Sequence, residues 1–218
     1  MKIAYESEVT LIDKMGSDLS VVNAARVSFA KEKELFDPSD EKLINYLARH
    51  NHFTPFCHAF ASFRIKAPLF VARQLVKHQV GLSWNEVSRR YVDSNPEFYL
   101  PREWRGRSES AKQGSSRIPV DISGEYLEAI HTFIKTSREL YETLLKKNVC
   151  PEQARMMLPQ NMMTEWIWSG TIMAFSRVCT LRMKADAQYE TQEVARYLHD
   201  ALQELYPVSW KALQNTGH

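Results

Sequence analysis

Residues 58–67, HAFASFRIKA, alternate in polarity with a period of two. Ala59, Ala61, Phe63 and Ile65 fall on one side of an extended chain, and His58, Phe60, Ser62, Arg64 and Lys66 on the other. Successive side chains of a strand point to opposite faces, so the segment reads as a strand with one face on a core. Pro68 follows at once, and proline suits the first turn of a helix, so PLFVARQLVKH reads as helical. A strand that feeds directly into a helix commits the chain to a mixed architecture.

The remaining segments agree with that commitment. KIAYESEVTLID supplies an edge strand, and SDEKLINYLARH reads as a helix with Ser39 and Asp40 as cap candidates and Leu43, Ile44 and Leu47 at helical spacing. SGEYLEAIHTFIKTSRELYETLLKK is a long amphipathic helix, and Pro151 is placed to start another in PEQARMML. The stretch from Thr164 to Tyr206 reads as mostly helical, with Ser169 and Gly170 as a candidate kink. Residues 95–119 are poor in apolar side chains, and within them RGRSESAKQGSSR, in a loop of about 102–118, reads as flexible or as a mobile lid. The expected fold is a single α/β (α+β) domain over residues 1–218, with a central mixed or antiparallel sheet flanked by helices.

At 218 residues, with 44% hydrophobic and 25% charged side chains, the chain has material for a sizeable core. A net charge of +2 is too small to argue for nucleic acid or a membrane surface. No apolar run approaches the roughly 20 residues of a membrane span. The first residues, MKIAYESEVTLID, contain no apolar signal segment, and three scattered cysteines suit a reducing compartment, so a cytoplasmic protein is expected.

Seven glycines form neither a dinucleotide fingerprint nor a phosphate loop, so any nucleotide must be held by side chains and isolated backbone groups. His50, His52, Cys57 and His58 resemble a ligand set, but their spacing fits no common zinc pattern, and no metal is expected. If Cys57 and His58 lie in a strand they face apart and cannot form a thiol–base dyad.

The densest polar segment is SWNEVSRRY, residues 83–91. In an extended chain Glu86, Ser88 and Arg90 share a face; in a helix Glu86 and Arg90 are an i,i+4 pair. Read as helix, LRMKADAQYE puts Arg182, Asp186 and Tyr189 on one face. Arg182 follows an apolar run and therefore needs a partner, either a structural carboxylate or a bound phosphate; Arg155 raises the same question.

Together these pieces resemble the flavin-dependent thymidylate synthases, the ThyX family. NAARVS, HFTPFCH, FRIKAPLFVARQLVKHQ, SWNEVSRRY, EQARMMLP and LRMKADAQYE occur in the family's order over residues 23 to 192. The family signature is Arg-His-Arg followed by Ser-x-Asn-Glu-x-Ser-x-Arg-Tyr, and Ser83, Asn85, Glu86, Ser88, Arg90 and Tyr91 match its second half. The first half differs: Lys77-His78-Gln79 stands in place of the triplet, with one extra residue before Ser83. Cys57 stands where glutamate is usual, Arg177 where asparagine or histidine is usual, and Met173 in place of an arginine.

The resemblance implies methylation of dUMP to dTMP with 5,10-methylenetetrahydrofolate, FAD and NADPH, by a homotetramer whose active sites draw on several subunits. It implies dUMP contacts at Gln74, Glu86, Ser88, Arg90, Arg155 and Arg182. Of these, Arg182, Glu86 and Ser88 form the catalytic set, with Glu86 as an orienting group and Ser88 as a contact rather than a nucleophile. It implies FAD contacts at Ser28, His52, Thr54, Lys77, His78, Gln79, Asn85, Arg177 and Gln188. Two other readings stay open at this level: a nucleotide- or RNA-binding protein that kept the scaffold and lost catalysis, and another NADPH-dependent flavin oxidoreductase.

Overall fold

The computed structural model describes residues 1–108 and 114–216, apart from the side chain of Arg117. Strand β1 (Lys2–Ala4) is followed by β2 (Glu8–Met15), helices α1 (Asp18–Arg26) and α2 (Pro38–Arg49), β3 (Phe60–Pro68), α3 (Leu69–Leu75), β4 (Leu82–Glu86) and β5 (Glu97–Tyr99). Then come β6 (Trp104–Arg107), β7 (Ser115–Val120), α4 (Glu125–Lys146), α5 (Pro151–Ala154), β8 (Met163–Thr171), α6 (Ile172–Arg182), α7 (Tyr189–Leu205) and α8 (Pro207–Asn215). The central sheet is antiparallel with order β2-β3-β8-β4, so β2 is the edge strand that the N-terminal sequence predicts.

The alternation in β3 is realised: Ala61, Phe63, Ile65 and Ala67 are fully buried. They meet Trp166 and Trp168 of β8 and helices α1, α2, α3, α6, α7 and α8 in one core. Burying a side chain such as Phe63 contributes roughly 1.5–3 kcal/mol. The opposite sheet face stays polar, with Ser62 Oγ donating to Ser169 Oγ at 2.8 Å and Arg64 paired with Glu165 at 2.5 Å. A smaller core joins Phe98, Leu100, Ile134 and Met162 under α4.

Several expectations are corrected. Residues 163–171 are not helical but form β8, the strand between β3 and β4. Trp166 and Trp168 two residues apart both face the core, and a period of two with aromatic and β-branched residues is strand chemistry. No kink occurs at Ser169–Gly170. Thr171 instead ends the strand and caps α6, its side chain accepting from Ala174 N at 3.1 Å.

Gly170 is required by close approach. A Cβ there would run into the carbonyl oxygen of Gly81 and the side chain of Leu82, and Gly81 itself has φ +76°.

The helix expected through LRMKADAQYE is interrupted. α6 stops at Arg182 and α7 starts at Tyr189, so Arg182, Asp186 and Tyr189 share no helical face. Residues 54–58 form a short 3-10 turn rather than strand, leaving Cys57 and His58 both exposed. The arms of the expected 102–118 loop pair as the β6–β7 hairpin, in which backbone pairing compensates for the scarcity of apolar side chains; residues 109–113 lie outside the described residues.

α2 is capped by Asp37 instead of Ser39 or Asp40. Asp37 Oδ1 accepts from Ser39 N at 2.7 Å, and Asp40 accepts from Asp37 N at 3.0 Å. Asp40 is wholly buried and also takes Arg26 at 2.9 Å and Lys33 at 2.6 Å, which fastens the segment after α1 to α2. Among the described residues no helix is long and apolar enough to cross a membrane.

Candidate functional site

α3 and the turn behind it carry Gln74 and His78, and α6 ends at Arg182. Arg182 Nε donates to His78 Nε2 at 2.9 Å. A ring nitrogen that accepts carries no proton, so His78 is the neutral Nδ1–H tautomer. Burial, and then the neighbouring guanidinium, push the His78 pKa below its ordinary value. Burial also lowers the pKa of Arg182, although a guanidinium stays charged at working pH. Among the described residues Arg182 has no carboxylate partner, and its two Nη groups have no protein acceptor.

Gln74 Nε2 donates to Gln188 Oε1, and Gln74 Oε1 accepts from Thr191 Oγ1 at 3.2 Å. Gln188 Nε2 in turn donates to Glu190 Oε2 at 3.1 Å, and Glu190 Oε1 pairs with Arg105 Nη2 of β6 at 2.6 Å. A cavity of about 430 Å³ opens beside this chain, walled by Phe70, Trp104, Ile134 and Asn161 as well as Gln188 and Glu190. Gln188, expected on the flavin side, therefore bonds to the nucleotide candidate Gln74.

SWNEVSRRY is neither wholly strand nor helix. β4 ends at Glu86, whose carboxylate accepts from Thr164 Oγ1 at 2.8 Å and from Trp84 Nε1 at 3.2 Å. A turn follows in which Tyr91 N and Val92 N both donate to Ser88 O at 3.0 Å. Ser88 Oγ accepts from the backbone N and the Nε of Arg90, each at 3.3 Å. Ser88 and Arg90 thus belong together, while Glu86 is held separately by the sheet. Arg155 sits in the exposed 3-10 turn after α5.

The nucleotide candidates therefore occupy four places in one chain. Arg182 stands with His78, Gln74 stands with Gln188 and Thr191, Glu86 leads into the Ser88–Arg90 turn, and Arg155 lies in the turn after α5. Among the described residues no hydrogen bond or ion pair joins these places.

A family model described as thymidylate synthase complementing protein matches residues 10–208. The flavin-dependent thymidylate synthase of Kosmotoga olearia is 36% identical over 220 residues, covering 100% of this chain and 94% of that relative. The chain belongs to the flavin-dependent thymidylate synthase family. The flavin-dependent thymidylate synthase of Thermus thermophilus is 37% identical over 209 residues, covering 94% of this chain and 75% of its own. Among solved structures, the UMP/dUMP methylase PolB from Streptomyces cacaoi bound with 5-Br dUMP aligns with a TM-score of 0.88 at 30% identity, covering 100% of this chain and 98% of that one.

Within the flavin-dependent thymidylate synthase frame, the remaining candidates present a donor set without a glycine loop. Ser28 lies in the exposed 3-10 turn Val27–Phe29, on the segment that Asp40 fastens. Asn23 holds the same segment through its side chain, donating to Lys33 O at 2.8 Å and accepting from Lys33 N at 2.9 Å. His52 and Thr54 are exposed, and the His52 ring meets Tyr46 edge-on at 6.0 Å. Arg177 lies over Phe53 at 5.4 Å, which ties α6 to that turn. Lys77, Gln79 and Asn85 are exposed on the way into and along β4.

Lys77 and Arg177 have no carboxylate partner among the described residues, and exposed rings accompany the set, Phe29 beside Ser28 in sequence and Tyr46 against His52. Unpaired cations, hydroxyls, an imidazole and aromatic faces fit the chemistry of an anionic dinucleotide such as FAD. Among the described residues no group of three or more His, Cys, Asp or Glu side chains could hold a metal.

Sequence reasoning missed Glu190, Arg105, Thr191, Thr164 and Trp84. Glu190 offers only the signal of an acidic residue in the first turn of a helix, which the macrodipole alone explains.

Proposed function

We propose that this protein methylates dUMP to dTMP, taking the carbon from 5,10-methylenetetrahydrofolate, with FAD as redox carrier and NADPH as reductant. The observation that carries the reading is the half-buried Arg182, which has no carboxylate partner among the described residues and is held through Nε by a neutral histidine. A buried cation without a protein counter-ion calls for an anionic ligand, and a nucleotide monophosphate is a dianion near neutral pH.

Arg182, Arg90 and Arg155 supply charge for the phosphate. Gln74 and Ser88 supply directional polar contacts, and Glu86, clamped by Thr164 and Trp84, orients the reacting pyrimidine. Ser88 Oγ already accepts two N–H groups of Arg90 and has no base bonded to it among the described residues, so it binds rather than attacks. The flavin, when bound, supplies the redox chemistry. Ser28, His52, Thr54, Lys77, His78, Gln79, Asn85, Arg177 and Gln188 hold it.

The separation of the nucleotide candidates into four places supports a homotetramer with shared active sites, in which a second copy brings the Ser88–Arg90 turn to Arg182. The proposed setting is the cytoplasm, with small-molecule substrates and neither nucleic acid nor membrane as partner.

The test is direct. Purified protein with FAD, NADPH, dUMP and methylenetetrahydrofolate is expected to form dTMP, resolved by chromatography. Flavin-loaded protein that consumes NADPH without forming dTMP would overturn the reading.

A further inference from the structure

Five side chains from three parts of the chain form one hydrogen-bonded line: Arg105, Glu190, Gln188, Gln74 and Thr191. Its polarity is not arbitrary. A carboxamide taken alone can sit either way round, because its oxygen and nitrogen have nearly the same shape. A carboxylate cannot, since an ionised one only accepts.

Glu190 is 4% exposed and spends one oxygen on Arg105. Its other oxygen accepts from Gln188, so the amide nitrogen of Gln188 must face Glu190 and the amide oxygen must face away. That oxygen meets Gln74 and demands its nitrogen. Gln74 is then left with its oxygen toward the Thr191 hydroxyl, which donates to it. One acceptor-only group fixes the orientation of two amides in series. The free N–H and the free lone pair of Gln74 consequently occupy set positions.

We propose that Glu190 is a positioning residue for nucleotide binding, which acts through Gln188 to hold the Gln74 carboxamide in the single orientation that dUMP meets. The assignment rests on the proposed function, in which Gln74 contacts dUMP. It gives the Arg105–Glu190 pair a consequence beyond docking the β6–β7 hairpin, because the hairpin's anchor is also the origin of the line.

A double-mutant cycle separates positioning from mere support. The dUMP dissociation constant is measured by titration of the flavin-loaded wild type, Glu190→Gln, Gln74→Ala and the double variant. Glutamine at 190 keeps the shape, but its oxygen is claimed by the donor-only Arg105 and its nitrogen then faces Gln188, so the polarity of the line is reversed. Glu190→Gln is expected to weaken dUMP binding by about tenfold with flavin content unchanged. On the Gln74→Ala background the same change is expected to matter less than about twofold, because the two residues share one interaction.

Wild-type affinity in Glu190→Gln, or an equal loss on both backgrounds, overturns the assignment. If Glu190→Gln fails to fold, Gln188→Leu carries the same cycle, since it cuts the line while leaving Arg105 and Glu190 paired; undiminished dUMP binding in it overturns the assignment. A wild type that does not bind dUMP overturns the proposed function and this assignment together. Wild-type binding with indifferent variants overturns the assignment alone.

Discussion

Arg182 reaches His78 through Nε at 2.9 Å, and the bond exists only while His78 Nε2 is unprotonated. Burial and the guanidinium hold the His78 pKa below its ordinary 6.5. As pH falls below about 6.5 the unfolded chain takes up this proton before the folded chain does. The contribution is therefore intact above the unfolded pKa and is lost as pH falls through the lower, folded one. Wild type is expected to lose more stability than His78→Gln between pH 7.5 and the acid limb, since glutamine accepts the same bond without titrating. Denaturant unfolding across that range checks it, and parallel pH profiles would count against the tautomer.

Removing the guanidinium tests the phosphate assignment. A charge-assisted contact contributes roughly 1.5–3 kcal/mol, so Arg182→Ala should raise the dUMP dissociation constant by about tenfold or more. Flavin content, read from absorbance per chain, should change little. Unaltered dUMP binding would remove Arg182 from the substrate site.

The altered triplet makes a third prediction. Lys77 and Gln79 are exposed and present fewer fixed donors than two arginines would. The double change Lys77→Arg and Gln79→Arg is expected to increase the flavin retained through gel filtration. No gain would assign the missing charge to Arg177, which already leans over Phe53 beside the His52–Thr54 turn.

No thiol is expected to take part in turnover. Cys57 and Cys150 are exposed, and the Cys57 thiol meets only the Phe53 carbonyl at 3.6 Å. Cys179 is fully buried, and burial pushes its thiol far above the range in which a thiolate forms. Each single Cys→Ala variant should still form dTMP. Cys179→Ala should cost about 1 kcal/mol of stability, measured by unfolding, because it empties space in the core between α6 and α7. A loss of turnover by about a thousandfold in any one of them, with fold and flavin intact, would show a nucleophilic sulfur.

Gly170 offers a test of the fold itself. Gly170→Ala would force β4 and the Gly81 turn off β8, so the expected result is a lower melting temperature together with weaker flavin retention, since Lys77–Gln79 lead into that turn. An alanine variant with wild-type melting and wild-type flavin content would mean the approach is looser than drawn.

Local pattern decided which elements were legible from sequence. β3 shows its alternation because one face is polar, and α4 shows its stripe because it packs on one side only. β8 hides between apolar neighbours, where a short run containing Trp166, Ile167 and Trp168 reads equally well as helix. The break between α6 and α7 has no glycine or proline to mark it. At the site, Arg182, Gln74 and the Ser88–Arg90 turn could be named from motifs. Arg105 could not, because its partner Glu190 lies 85 residues away and only the folded chain brings them together.

Trp84 stacks on Trp166 at 4.3 Å, stands edge-on to Trp168 at 5.5 Å, and gives its indole N–H to Glu86. Trp84 thus touches both core indoles, and its own N–H is bonded to the carboxylate proposed to orient the substrate. A ligand that claims Glu86 for itself would withdraw the acceptor from Trp84, so adding dUMP is expected to change the intrinsic emission without any added dye.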